Sequence, residues 1–93
     1  MKFASDYIVG VDLGGTNVVS LLVNGEGKVI VKDSRASLAR EGKEKTLSQI
    51  VNSVRAVLEK GQLQGISSAS IKGVGVGSPG PLDTKKGIIH FAP

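Results

Sequence analysis

The stretch "YIVGVDLGGTN", Tyr7 to Asn17, decides how the rest of the chain is read. Its apolar run, rich in β-branched residues, has strand character and ends on a single carboxylate, Asp12. After Leu13 come Gly14, Gly15, Thr16 and Asn17, and a second apolar run starts at Val18. Read as a hairpin turn, glycines beside an Asx acceptor need no further purpose. Read as a binding mouth, each residue has a task. Gly14 and Gly15 let the backbone turn and bring its N–H groups close to a ligand. Successive N–H groups form a small concavity that suits an anion. Thr16 adds a hydroxyl and Asn17 an amide. Asp12 can hold Mg²⁺, directly or through water, and the ion would neutralise phosphate charge. These residues alone leave both readings open.

Working outward, Val18–Val23 reads as a second strand and "KVIVKDS", Lys28–Ser34, as a third. Between them "NGEG", Asn24–Gly27, is a turn signal, since Asn-Gly favours the φ > 0 geometry of tight hairpins. Three strands joined by two short glycine turns make an antiparallel meander. The period then changes. Leu47, Ile50, Val51, Val54, Val57 and Leu58 recur at three- and four-residue steps, which predicts one apolar face of a helix. Glu41 and Glu44 near its start and Lys60 near its end suit the helix dipole, and Gly61 suits a C-cap. Thr46 with Gln49 has the spacing of a capping box. "GQLQGISSAS" reads as a polar connector, and "IKGVGVG" gives a fourth strand over Ile71–Val76. Pro79 and Pro81 exclude regular structure from "SPGPLD", and "IIHF" is a short extended piece.

The resulting order, β-β-β-α-β, lets the fourth strand lie parallel in the same sheet, because a helix makes the crossover. The fold class is therefore α/β, with a mixed sheet and one covering helix. One helix covers one face, yet Ile8, Val9 and Val11, then Val18, Val19, Leu21 and Leu22, are apolar on both. Such strands are buried on both sides. Something beyond these 93 residues is expected to cover the second face, so the chain reads as the first part of a larger domain.

Composition excludes several classes. With no cysteine, neither disulfides nor thiolate metal sites exist. The 12 basic residues are dispersed, which argues against a nucleic-acid stripe and fits an anionic small ligand. No apolar run reaches the roughly 20 residues of a membrane span, and the N-terminus has no signal core, so a cytoplasmic protein is expected. Two motif matches fail on context. "GVGSPG", Gly75–Gly80, has dinucleotide-loop spacing but opens no helix. Gly10 and Gly15 have Walker spacing, but Thr16 stands where lysine is required. His90 has no nucleophile or ligand cluster around it in sequence and reads as structural; Asp83 lies at another glycine turn without an evident partner.

"GVGVGSPGPLD" has a logic of its own. A glycine-rich strand admits close approach by a ligand or another backbone. The stiff Pro-Gly-Pro turn after it holds Ser78 and backbone groups in place, which suits a polyol as well as it suits a rigid connector.

Together, "VGVDLGGTNVVSLLVNGEGKVI" and "GVGVGSPGPLDTKKGIIHFAP" resemble the N-terminal part of a sugar kinase of the ROK family (repressor, open reading frame, kinase), in particular its bacterial glucokinase-like members. The resemblance spans essentially the whole chain. It implies part of an actin-like, ribonuclease-H-like ATPase domain over residues 1–93, and ATP-dependent phosphorylation of a sugar with Mg²⁺. By the same resemblance Asp12, Gly14, Gly15, Thr16 and Asn17 belong to the first phosphate loop, with Asp12 the metal ligand. Asn17 stands where many members have lysine. Gly77, Ser78, Pro79 and Gly80 would border the sugar pocket.

The family's catalytic base is an aspartate of a later Asn-Asp motif, and no such pair occurs in these 93 residues. No catalytic residue is therefore assigned, and the chain by itself is expected to be inactive. Family repressors carry a helix-turn-helix before the first strand. With six residues ahead of Tyr7, the kinase branch is the expectation. The alternatives are a phosphate- or sugar-binding module and a fragment of a sugar-responsive regulator. The expected partners are a sugar and a nucleotide, with self-association or a complementing chain to cover the open face.

Overall fold

A computed structural model describes residues 6–77 of the chain. Four strands and one long helix follow in the expected order: β1 (Tyr7–Leu13), β2 (Asn17–Asn24), β3 (Val29–Ala36), α1 (Lys43–Leu63) and β4 (Ile71–Gly77). The sheet order is β3-β2-β1-β4. β1 pairs antiparallel with β2, β2 antiparallel with β3, and β4 parallel with β1. This is the mixed α/β sheet that the sequence pattern predicts.

Alternation along the strands sorts their side chains onto two faces. Val9, Val11, Val18, Leu22 and Val31 are buried together on one face, beneath Val57 of α1. Ile8, Gly10 and Asp12 lie on the other face, level with Val23, Leu21 and Val19 of β2. Ile8 is 44% exposed there, so that face has no cover among the described residues.

α1 sits on the sheet differently from its apolar period. Leu47 and Val51, expected to face the sheet, are 57% and 48% exposed. The buried positions are Ser53, Val57 and Gly61, with Ile50, Val54 and Leu58 partly buried beside them. The helix is thus rotated toward its small and polar residues, and hydrogen bonding explains why. Ser20 of β2 and Asp33 of β3 lie opposite each other on the helix-facing side. Ser53 Oγ lies 2.7 Å from Ser20 Oγ and 2.9 Å from Asp33 Oδ2. An ionised carboxylate only accepts, so Ser53 donates to Asp33 and Ser20 donates to Ser53. Arg35 completes the chain with Nε to Oδ2 at 2.8 Å and Nη2 to Oδ1 at 3.1 Å. The Arg35 hydrogen bonds hold the Asp33 carboxyl below its usual range; burial opposes this, and the Ser53 bond adds to the lowering. Leaving these groups buried and unpaired would cost more than leaving Leu47 and Val51 partly wet.

The helix also ends later than its glycine suggests. Gly61 is no C-cap but a buried interior position, where an added Cβ would come within 2.7 Å of Leu22 Cδ2. Its value is close approach of helix and sheet. The true stop is Gly65 at φ 87°. Ile66 N–H donates to Gly61 O and Gly65 N–H to Gln62 O, the paired bonds of a Schellman ending. At the other end Thr46 and Gln49 form no capping box. Thr46 Oγ1 donates to Ser37 O at 2.9 Å and Gln49 Nε2 to Ala36 O at 2.9 Å, so both tie α1 to the end of β3.

α1 lies over β3, β2 and part of β1. On the same side of the sheet, Val74 and Val76 of β4 remain 45% and 48% exposed.

Candidate functional site

The parallel pairing of β1 with β4 does what the two sequence motifs need. Asp12 and Gly77 are Cα partners at the C-terminal ends of adjacent strands. The turn 14–17 and the end of β4 at Gly77 therefore lie at the same end of the sheet. Ligands of open α/β sheets bind at that end, beyond the carboxyl ends of the strands. Ser78, Pro79 and Gly80, with Asp83 and His90, lie outside the described residues.

On the β4 side of Asp12 its sheet face carries glycine at every position, while Val19, Leu21 and Val23 of β2 flank it on the other side. Ile8, Gly10 and Asp12 of β1 run level with Gly73, Gly75 and Gly77 of β4. A Cβ built at Gly10, Gly73 or Gly77 would meet nothing within 4 Å. The alternation of glycine with Val74 and Val76 puts every β4 glycine on the Asp12 face and both valines on the α1 face. A smooth glycine floor lets a ligand or another backbone come close to the Asp12 carboxylate, which is itself exposed.

The turn differs from its expected chemistry in one respect. Gly14 and Gly15 are absent from the left-handed region; the positive-φ glycines among the described residues are Gly27, Gly42 and Gly65. Glycine is therefore not required there by backbone dihedrals. Its contribution is space. A Cβ at Gly14 would stand 3.4 Å from Asn17 O, and one at Gly15 would meet nothing within 4 Å. Gly14 N–H donates to Asn17 O at 2.8 Å. Among the described residues, the N–H groups of Gly15 and Thr16 have no acceptor. Gly15, Thr16 and Asn17 are all exposed. The turn thus offers open donors, a hydroxyl and an amide beside a carboxylate, which is the donor set for a phosphate and its cation.

Ser37, fully buried just after β3, is a further residue of the site that the sequence motifs do not include. Its N–H donates to Thr16 O at 2.8 Å, and its Oγ donates to Gly15 O at 2.9 Å. No local motif marks it. Register could have found it: β3 runs back along β2 from the 24–28 hairpin, and Asn17 pairs with Ala36. The next residue of β3's exit must then lie beside the 14–17 turn.

Comparison with known proteins bears on these motifs directly. The ROK family model matches residues 8–93. The chain belongs to the ROK family. Among curated relatives, the glucokinase of Thermotoga maritima is 35% identical over 86 residues, which is 92% of this chain and 25% of that protein. The chain thus spans about a quarter of the length of the curated relative it matches. The sheet and helix also superpose on a solved structure, a reductive activator for a corrinoid, iron-sulfur protein. The TM-score is 0.61 at 16% identity, covering 84% of this ROK chain and 15% of the other. That likeness concerns the fold alone.

Among the described residues no helix is long and apolar enough to cross a membrane. No group of three or more His, Cys, Asp or Glu gathers to hold a metal either. The exposed Asp12 carboxylate is a group that could hold Mg²⁺, which is commonly bound by one or two carboxylates, water and substrate phosphate.

Proposed function

We propose that this chain supplies the first phosphate-binding turn and one border of the sugar pocket of an ATP-dependent, glucokinase-like hexose kinase. The observation that supports the reading is the register of Asp12 with Gly77, which brings the ends of β1 and β4 together beside the 14–17 turn. Support comes also from the family and from the glucokinase relative.

In this reading the Gly15 and Thr16 N–H groups and the Thr16 hydroxyl donate to phosphate oxygens. Asn17 stands at the rim as a further neutral donor. Asp12 holds Mg²⁺, and the bound ion would neutralise negative charge on the phosphates. Gly77 to Gly80 border the sugar, and the glycine floor lets it approach. Phosphoryl transfer needs in-line positioning, charge stabilisation and a base for the attacking hydroxyl. These residues offer part of the second. No Asn-Asp pair is present in the 93 residues to supply the third, so no sugar-dependent ATP consumption is expected from them alone.

The test is an amide-shift titration of the ¹⁵N-labelled chain with ATP, with and without Mg²⁺. Perturbation concentrated at Gly14–Asn17, with the Mg²⁺ dependence lost in Asp12→Asn, is the expected result. Silence at those amides, or an unchanged Mg²⁺ response in Asp12→Asn, would refute it.

A further inference from the structure

Ser37 is 0% exposed, and all three of its polar groups are engaged. The N–H goes to Thr16 O, the hydroxyl to Gly15 O, and the carbonyl accepts the Thr46 hydroxyl of α1 at 2.9 Å. Gln49, one turn further along α1, donates to Ala36 O just before it. The serine is therefore anchored from the helix side and reaches across 22 residues of sequence to the turn.

A peptide group is planar and trans, so the carbonyl of one residue and the N–H of the next point in opposite directions. No cis bond occurs among the described residues. Holding the Gly15 carbonyl toward Ser37 directs the Thr16 N–H away from it. Holding the Thr16 carbonyl toward Ser37 likewise turns the Asn17 N–H away from β3. The two bonds also keep two carbonyl oxygens, which would repel an anion, turned inward. Glycine at position 15 leaves that peptide unit free to rotate, and within the turn Gly14 N–H to Asn17 O is the one backbone hydrogen bond. The turn's own bonds do not fix the orientation of its middle peptide groups.

We infer that Ser37 is a positioning residue for the phosphate turn: its hydroxyl fixes the Gly15–Thr16 peptide so that the Thr16 N–H faces the anion. This rests on the phosphate-binding reading above. A buried serine that merely satisfied itself would affect stability and leave affinity untouched. A positioning serine sets affinity in the folded protein.

The experiment uses Mg·ATP as the probe and the ¹⁵N-labelled 93-residue chain as wild type, Ser37→Ala, Ser37→Cys and Ser37→Thr. Cysteine keeps the volume but loses the strong donor, so it serves if the alanine variant does not fold. Thr restores the hydroxyl. Binding is read from amide shifts of the folded molecules, with α1 and β3 resonances reporting that the fold is intact. The expected result is a loss of about tenfold or more in affinity for Ala and Cys, with Thr within about threefold of wild type, where tenfold corresponds to about 1.4 kcal/mol. Equal affinity for wild type and the folded Ala or Cys variant overturns the inference while the phosphate reading stands. No binding by the wild-type chain sinks the phosphate reading itself, and this inference with it.

Discussion

Two glycine-bearing turns close the two hairpins of the meander, and they are built on opposite plans. The β2–β3 turn holds itself together. Asn24 Oδ1 accepts from the N–H groups of Glu26 at 2.8 Å and Lys28 at 3.0 Å. Gly27 N–H returns to Asn24 O at 3.0 Å, and Gly27 takes the left-handed conformation at φ 85°. The β1–β2 turn has no positive-φ residue, and its middle peptide groups are held by Ser37 from outside. A turn whose polar groups are spent on itself is a connector. A turn whose donors stay open, with its carbonyls held by a distant residue, has the build of a site. Composition does not separate the two, since both combine glycine with Asn or Asp.

The sharpest way to break this comparison is to remove the outside support. Ser37→Ala leaves the Gly15 carbonyl without its donor; Mg·ATP affinity should fall about tenfold or more, and a urea titration should show a loss of about 0.5–1.5 kcal/mol, the net worth of one hydrogen bond. Next comes the self-held turn. Gly27→Ala forces an L side chain to φ 85° and should cost about 1–2 kcal/mol by the same measurement. Asn24→Ala removes one side-chain acceptor, Oδ1, and with it two exposed hydrogen bonds that water can partly replace. A loss of about 1 kcal/mol is expected, without any change in Mg·ATP affinity.

Asp33 lies at neither turn and serves as the reference. Its folded-state pKa is lowered, chiefly by the Arg35 hydrogen bonds. The unfolded chain therefore takes up this proton more readily than the folded one, and acid favours unfolding. The contribution is fully present above a pH of about 4 and fades as the pH falls through the lower folded value. The pair is partly open to solvent, so Asp33→Asn should cost about 0.5–1 kcal/mol at pH 7 and progressively less as the pH falls below about 4. A constant deficit across that range would show that shape, not charge, is what Asp33 provides. The smallest stability effect belongs to Gly15→Ala. Its φ is ordinary and its Cβ site is empty, so stability should stay within about 0.5 kcal/mol of wild type. Mg·ATP affinity should nonetheless fall as a methyl group intrudes on the anion's approach. Gly27→Ala should show the reverse pattern, stability lost and affinity kept.

How far these features could be read beforehand depended on how local their causes are. The strands were legible because apolar runs punctuated by glycine and Asn carry their own boundaries. That β4 lies parallel in the sheet followed from the intervening helix, whereas its place beside β1 rather than β3 is set by packing that no local pattern carries. The rotation of α1 was not legible, because it is set by Ser20 and Asp33 on other strands calling for Ser53, and periodicity scores serine as a polar outer residue. Gly61 misled for a related reason. A glycine near the end of a helical period looks like a cap when solvent is assumed around it, whereas Leu22 stands there. In the site, Asp12 and the turn residues announced themselves, while Ser37 did not. Its role exists only through register, and no spacing of residue types encodes a bond between position 37 and position 15.

The register of Asp12 with Gly77 has a consequence for how the site comes into being. The meander closes through short loops and can form early, so the turn that carries Gly14–Asn17 exists as soon as β1 and β2 meet. The pairing of β1 with β4 encloses most of the described chain, and the entropy of closing so long a loop is regained only when strands, helix and crossover are all in place. The two halves of the ligand edge are thus an early and a late product of the same folding reaction. A chain caught midway would own half a cleft, and recognition that needs both motifs doubles as a report that folding has finished.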